Sequence, residues 1–130
     1  NFIRAKKVMA ESCDALISVN TELLPFTISE YGSLSWWALF TKDYKLSESS
    51  AHRCLELDQS QIYVYTNLGH SQILRGQFKK GLKSYNHLKG KNDESGKAYK
   101  IIILEDLDAL EAENITHPDF EKVRAELEKW

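Results

Sequence analysis

The chain repeats itself every 34 residues, and no other feature constrains its fold as strongly. Tyr31, Tyr65 and Tyr99 are evenly spaced, and so are Leu34, Leu68 and Ile102. Tyr44 matches Phe78, Ser47 matches Gly81, Ala51 matches Tyr85, and Cys54 matches Leu88. A fixed period in this range marks stacked supersecondary units, each burying its apolar side against its neighbours.

Within 130 residues this means one elongated domain. Apolar residues make up 42% and charged residues 28%, the balance of a globular chain with a buried core. The formal net charge of −2 gives no overall basic field, which speaks against nucleic acid. Lysines do cluster at Lys79, Lys80, Lys83, Lys89 and Lys91, and read as a solvated helix face and loop. No apolar run approaches the ~18–20 residues that span a bilayer, so no membrane is expected. A signal-peptide pattern is missing, and the expected location is cytoplasmic. The first residue is Asn1, which suggests a piece of a longer array. Cys13 and Cys54 fall on inward columns of successive units and read as buried hydrophobes in a reducing compartment. No Cys or His spacing suggests a metal.

Helical spacing runs from Ser29 to Thr41, with Thr27 and Glu30 as an opening capping box. Asp43 caps a second helix reaching about Leu57, with Tyr44, Ser47, Ala51 and Cys54 inward. Ser60 is suited to cap a third helix over Gln61–Leu74, which Gly76 ends in a left-handed turn. A fourth helix is expected from Phe78 to about Lys89, then a polar loop over residues 90–97. Ala98 to Glu113 should form a long helix that overruns the repeat register and ends at Asn114. Thr116 then caps a closing helix, with Pro118 in its first turn, Asp119 completing a capping box and Ile115 stapled to Phe120. Upstream, Ala10 to Leu24 reads as the second helix of a preceding unit, with Cys13 and Ile17 in register and Pro25 at its end.

These columns resemble the tetratricopeptide repeat, a helix–turn–helix unit of the same length. Tyr65-Thr66-Asn67-Leu68-Gly69 followed by Gly76, Phe78, Gly81 and Tyr85 looks like that family's order of aromatic, Leu-Gly and small residues. The Tyr31 unit matches with Leu34, Ser35, Tyr44, Ser47 and Ala51, and Cys54-Leu55-Glu56-Leu57-Asp58 looks like the family's unit ending. Gln72 stands where the family has an aromatic, Gln59 where it has proline, and Ser35 where it has glycine. The C-terminal region, with Ile115-Thr116-His117-Pro118, is similar to the tail of some bacterial segments of this family. The resemblance implies an all-α fold, a short right-handed superhelix of tetratricopeptide helix–turn–helix repeats with long C-terminal helices. Its parts would be a partial leading repeat (1–26), repeats at 27–60 and 61–92, and a long and a closing helix (93–130). Gly69 and Ser35, with Gly81 and Ser47 opposite, would let the helices of each hairpin cross closely.

The family lines a concave groove with the first helix of each unit. Carried over, that surface takes Ser33, Trp36, Leu39 and Phe40, then Tyr63, Thr66, Asn67, His70, Ile73 and Leu74, then Lys97, Lys100, Ile101 and Leu104. Asn67 matches an asparagine that holds a bound peptide's backbone, whereas Gly32 and Trp36 stand where gripping a peptide's C-terminal carboxylate would need a basic residue and an asparagine. The resemblance therefore implies a protein-interaction module that binds a peptide or partner helix through Trp36, Phe40, Tyr63, Asn67, His70, Lys97 and Lys100. Its alternative is a regulatory or structural segment of a larger enzyme, its groove covered by the parent chain. No catalytic role is expected. His52 and His87 read as solvated, His117 as a turn residue, and the acidic run Glu105, Asp106, Asp108, Glu111 and Glu113 as a solvated face. No Gly-rich phosphate loop or cofactor motif is present.

Overall fold

The computed structural model describes residues 24–130. Among these the chain is all-α, with six helices, no strand and one isolated antiparallel bridge between Asn92 and Ala98. The helices pair in chain order as hairpins. The first is α1 (Leu24–Phe40) with α2 (Tyr44–Leu57), the second α3 (Val64–Leu74) with α4 (Phe78–Asn86), and the third α5 (Tyr99–Ala112) with α6 (Asp119–Leu127). The second hairpin also packs on the first, and α5 on α3. The leading helix expected upstream, with Cys13 and Ile17, lies outside the described residues.

The repeat register shows in the turns. α1 ends at Phe40 and α3 at Leu74, while α2 opens at Tyr44 and α4 at Phe78. Both first helices end in the same left-handed cap. After α3, Gln77 N–H donates to the Gln72 carbonyl (2.8 Å) and Gly76 N–H to that of Ile73 (3.0 Å), with Gly76 at φ +79°. After α1, Asp43 N–H reaches the Ala38 carbonyl and Lys42 N–H that of Leu39, both at 3.1 Å, with Lys42 at φ +62°. This six-to-one plus five-to-two pattern satisfies carbonyls that the helix end would leave open. α5 repeats it with Asn114 at φ +62°, but only after running past the register to Ala112.

Several caps differ from expectation. α1 already runs through residues 24–26, so Thr27 is fully buried inside the helix and does not cap it. Asp43 caps α2 as expected, its carboxylate accepting from Leu46 N–H at 3.1 Å. Ser60 does not cap α3. Its N–H and hydroxyl both donate to the Asp58 carboxylate, at 2.9 and 2.7 Å, and α3 starts three residues later than expected, at Val64. Before α6, His117 Nδ1 accepts from Asp119 N–H at 3.0 Å, and Thr116 is exposed. The loop between α4 and α5 winds around Asp93, whose carboxylate accepts from the N–H groups of Ser95 and Lys97, both at 2.9 Å.

Two apolar clusters hold these helices. The smaller joins Tyr31, Ala51, Cys54, Val64 and Leu68 between the first hairpin and α3. The larger carries Leu39, Ile73, Tyr85 and Leu88 onto Ile103, Leu107 and Leu110 of α5 and is closed by Phe120, Val123 and Leu127 of α6. Burying each such side chain is worth ~1.5–3 kcal/mol, more than the exposed ion pairs along α6 supply, so the apolar stripe dominates its docking. Ile115 and Phe120 are both buried in this cluster, as the expected staple requires.

The helix crossings are tight where small residues were expected. A Cβ on Gly69 would overlap the Tyr85 ring, and one on Gly81 would overlap Ile73 and approach the Gly69 carbonyl to 3.2 Å. In the first hairpin serines do the same work with hydrogen bonds. Ser47 Oγ donates to the Ser35 carbonyl at 2.5 Å, and Ser35 Oγ to that of Gly32 at 2.6 Å.

Candidate functional site

The structure divides the seven expected contact residues into two sets. Trp36 and Phe40, on the last turns of α1, are half-buried, with ring centroids 4.9 Å apart in an edge-to-face pair. Trp37, 40% exposed, adds a third ring 6.1 Å from Phe40. Tyr63 precedes α3 and sets its hydroxyl against Gly32 of α1, where even a Cβ would overlap it. Burial raises its phenol pKa to about 12, with the neighbouring Cys54 contributing. Lys97 is exposed and paired with Glu105, and Lys100 is half-buried.

Asn67 and His70 belong to the interior, which corrects their expected place on an open groove wall. Asn67 Nδ2 donates to Ser35 Oγ at 2.9 Å, tying α3 to α1, and its Oδ1 faces the Thr66 hydroxyl at 3.4 Å. His70 has no exposed surface. Its Nδ1 lies 2.7 Å from Tyr85 Oη of α4, and its Nε2 lies 2.9 Å from Asp106 Oδ2 of α5. A carboxylate only accepts, so Nε2 carries a proton; in the neutral imidazole Nδ1 then accepts from the tyrosine hydroxyl. Complete burial, with Asp106 nearby, holds the Tyr85 phenol well above its ordinary pKa. The edge of Trp36 approaches the same imidazole, with centroids 6.4 Å apart. Leu39 and Ile73, also expected on the groove, are fully buried in the larger cluster. Docking of α5 on α3 brings Asp106 to His70 and helps to close that side of α3, whereas Asn67 is turned toward α1.

The His70–Asp106 pair resembles an acid–base dyad only in composition. With His70 fully buried, a substrate cannot touch it, and its hydrogen bonds join three helices. The acidic run on α5 is likewise not one solvated face. Asp106 turns inward to His70, and Asp108 and Glu111 meet Arg124 of α6, which also pairs with Glu121. Among the described residues no group of His, Cys, Asp and Glu is placed to hold a metal ion, and no helix is long and apolar enough to cross a membrane.

Sequence reasoning missed an open cavity among the described residues. A furrow of about 680 Å³ runs between α2 and α4, floored by α3. Leu55, Tyr65 and Leu68 form its apolar base, while Lys80, Lys83 and Lys91 stand along one wall. His87 is not simply solvated, since its ring stacks on Tyr65 at 4.1 Å with 16° between the planes. Gln72 is buried under the furrow with Oε1 accepting from Ser84 Oγ at 2.6 Å. The lysine spacing at positions 80 and 83, one turn apart, was the available signal; the apolar floor under it comes from another helix. No family model, no curated protein and no solved structure matches the chain.

Proposed function

We propose that this chain is a protein-interaction module of the tetratricopeptide kind, a short superhelical array that docks a peptide or partner helix on the part of its first-helix face that α5 leaves uncovered. The observation that supports it most directly is the 34-residue recurrence of turn and crossing chemistry, from Phe40 to Leu74, Lys42 to Gly76 and Ser47 to Gly81. The aromatic group at the end of α1 supplies the anchor. Trp36 and Trp37 retain exposed ring surface at one edge of that face, and aromatic side chains of this kind dominate interface energetics. Asn67 and His70 act beneath this surface, holding α3 in place.

Capture from a lysate on the immobilised chain tests the reading. Bound proteins should be retained by Lys79→Glu, on α4, and lost with Trp36→Ala, whose anchor would carry about 1–3 kcal/mol of affinity. Equal capture by both variants refutes the first-helix surface. Capture of nothing by the wild-type chain supports the other reading, a segment of a larger enzyme with this face covered by its own parent chain.

A further inference from the structure

The furrow between α2 and α4 lies on the opposite side of α3 from His70. Tyr65, Leu68 and Gln72 share one face of the helix, and His70 and Ile73 point the other way. This second surface is therefore independent of the first-helix face proposed above. Its charges are unbalanced. On the α2 side Glu56 is paired with Arg53 at 3.3 Å, and His52 faces Glu48 at 3.8 Å. On the α4 side Lys80, Lys83 and Lys91 enter no ion pair among the described residues. Three ammonium groups without counter-charges thus overhang an apolar floor of Leu55, Tyr65 and Leu68.

We infer that this furrow is a docking site for an acidic peptide segment carrying one apolar anchor residue. The anchor would enter over Leu55 and Leu68, and flanking carboxylates would pair with Lys80, Lys83 and Lys91. Charge complementarity selects the ligand, because three lysines along one wall without acidic partners favour a segment that brings carboxylates. The volume of about 680 Å³ lies within the ~300–1,000 Å³ range of ligand sites. Single-stranded nucleic acid fits less well. Binding it relies on open aromatic faces for stacking, and Tyr65 already spends a face on His87.

A short fluorescein-labelled glutamate-rich peptide with a single central leucine serves as the probe, read by fluorescence anisotropy. Saturable binding is expected, weakening as salt rises. The double variant Lys80→Glu/Lys83→Glu should weaken it by about tenfold or more, as should replacing the peptide leucine by serine. Lys79→Glu/Lys89→Glu makes the same charge change outside the furrow and should have a much smaller effect. Trp36→Ala should leave binding unchanged, which separates this site from the first-helix face. Amide shifts at Lys83 and His87 in the titrated wild-type chain give a readout that needs no variant. The inference is overturned by an absence of saturable binding, by equal loss with Lys79→Glu/Lys89→Glu, or by loss with Trp36→Ala. Equal or tighter binding of a lysine-rich peptide or a single-stranded oligonucleotide would overturn it as well.

Discussion

Tyr85→Phe isolates the buried His70 link. The ring that fills the space over Gly69 stays, and only the hydroxyl 2.7 Å from His70 Nδ1 is removed. A typical hydrogen bond contributes about 1 kcal/mol net, but an imidazole nitrogen left buried without a partner costs ~1–3 kcal/mol. His70 has no exposed surface through which water could replace the hydroxyl, so the larger figure governs and a loss of about 2 kcal/mol is expected. With a urea m-value of ~1–3 kcal/mol/M, the midpoint should fall by about 1 M. Urea titrations followed by circular dichroism would measure it. A cycle with His70→Leu sharpens the test. Leucine has no nitrogen to orphan, and Asp106, 22% exposed, can turn to water. Tyr85→Phe should therefore cost at least about 1 kcal/mol less in the His70→Leu background than in the wild type. Additive costs within ~0.5 kcal/mol would refute the link, as would a Tyr85→Phe midpoint equal to that of the wild type.

At the helix crossing, Gly69→Ala should already destabilise by about 1–3 kcal/mol in the same titration, because its Cβ would overlap the Tyr85 ring; an unchanged midpoint would show the hairpin to be looser than described. The two left-handed caps should respond with opposite signs. Nothing lies within 4 Å of a Cβ on Gly76, so Gly76→Ala should cost about 1 kcal/mol from backbone strain alone, while Lys42→Gly should be stabilising by several tenths, and thermal melts of the pair would check both signs. Stability should also decline at alkaline pH. Burial raises the Cys54 thiol from 9.0 to about 11 and holds the Tyr85 phenol well above 10. The unfolded chain ionises first, so this stability is complete below pH 9 and is lost progressively from there through about 11 as the thiol titrates, with Tyr85 extending the loss above 10. Cys54→Ala should flatten the first part of that decline in denaturant midpoints taken across the range.

What could be read from the sequence was what neighbouring residues determine. Asp43 caps α2, Gly76 ends α3 and Asn114 ends α5, each through contacts within five residues. Thr27 misled because a capping box also needs a chain break before it, and α1 continues through that position from Leu24. Ser60 misled because its hydroxyl is turned to Asp58, two residues away, and the helix starts only at Val64, beyond the position it could cap. The candidate site was less legible for a different reason. Whether His70 faces solvent depends on where α5 docks, and its partner Asp106 is 36 residues downstream. The register could place His70 on a face of α3 but could not tell that the next unit would cover that face.

The polar residues at the helix crossings then acquire a physical explanation. Ser35 and Gln72 are both buried, and each places a polar group inside a crossing. Both are satisfied: the Ser35 hydroxyl accepts from Asn67 Nδ2 and donates to the Gly32 carbonyl, and Gln72 Oε1 accepts from Ser84. Together with Tyr85, His70 and Asp106 they form hydrogen-bonded links across α2–α1, α1–α3, α3–α4 and α3–α5. Buried groups of this kind cost dearly when unpaired, so a shifted helix register would orphan them where an apolar seam would merely repack. The same commitment bears on the proposed function. Asn67 and His70 spend their donors and acceptors on holding helices together, so the two proposed docking surfaces draw on side chains outside that network: the aromatic edge at Trp36 and Trp37 on one side, and the lysines above Leu55 and Leu68 on the other.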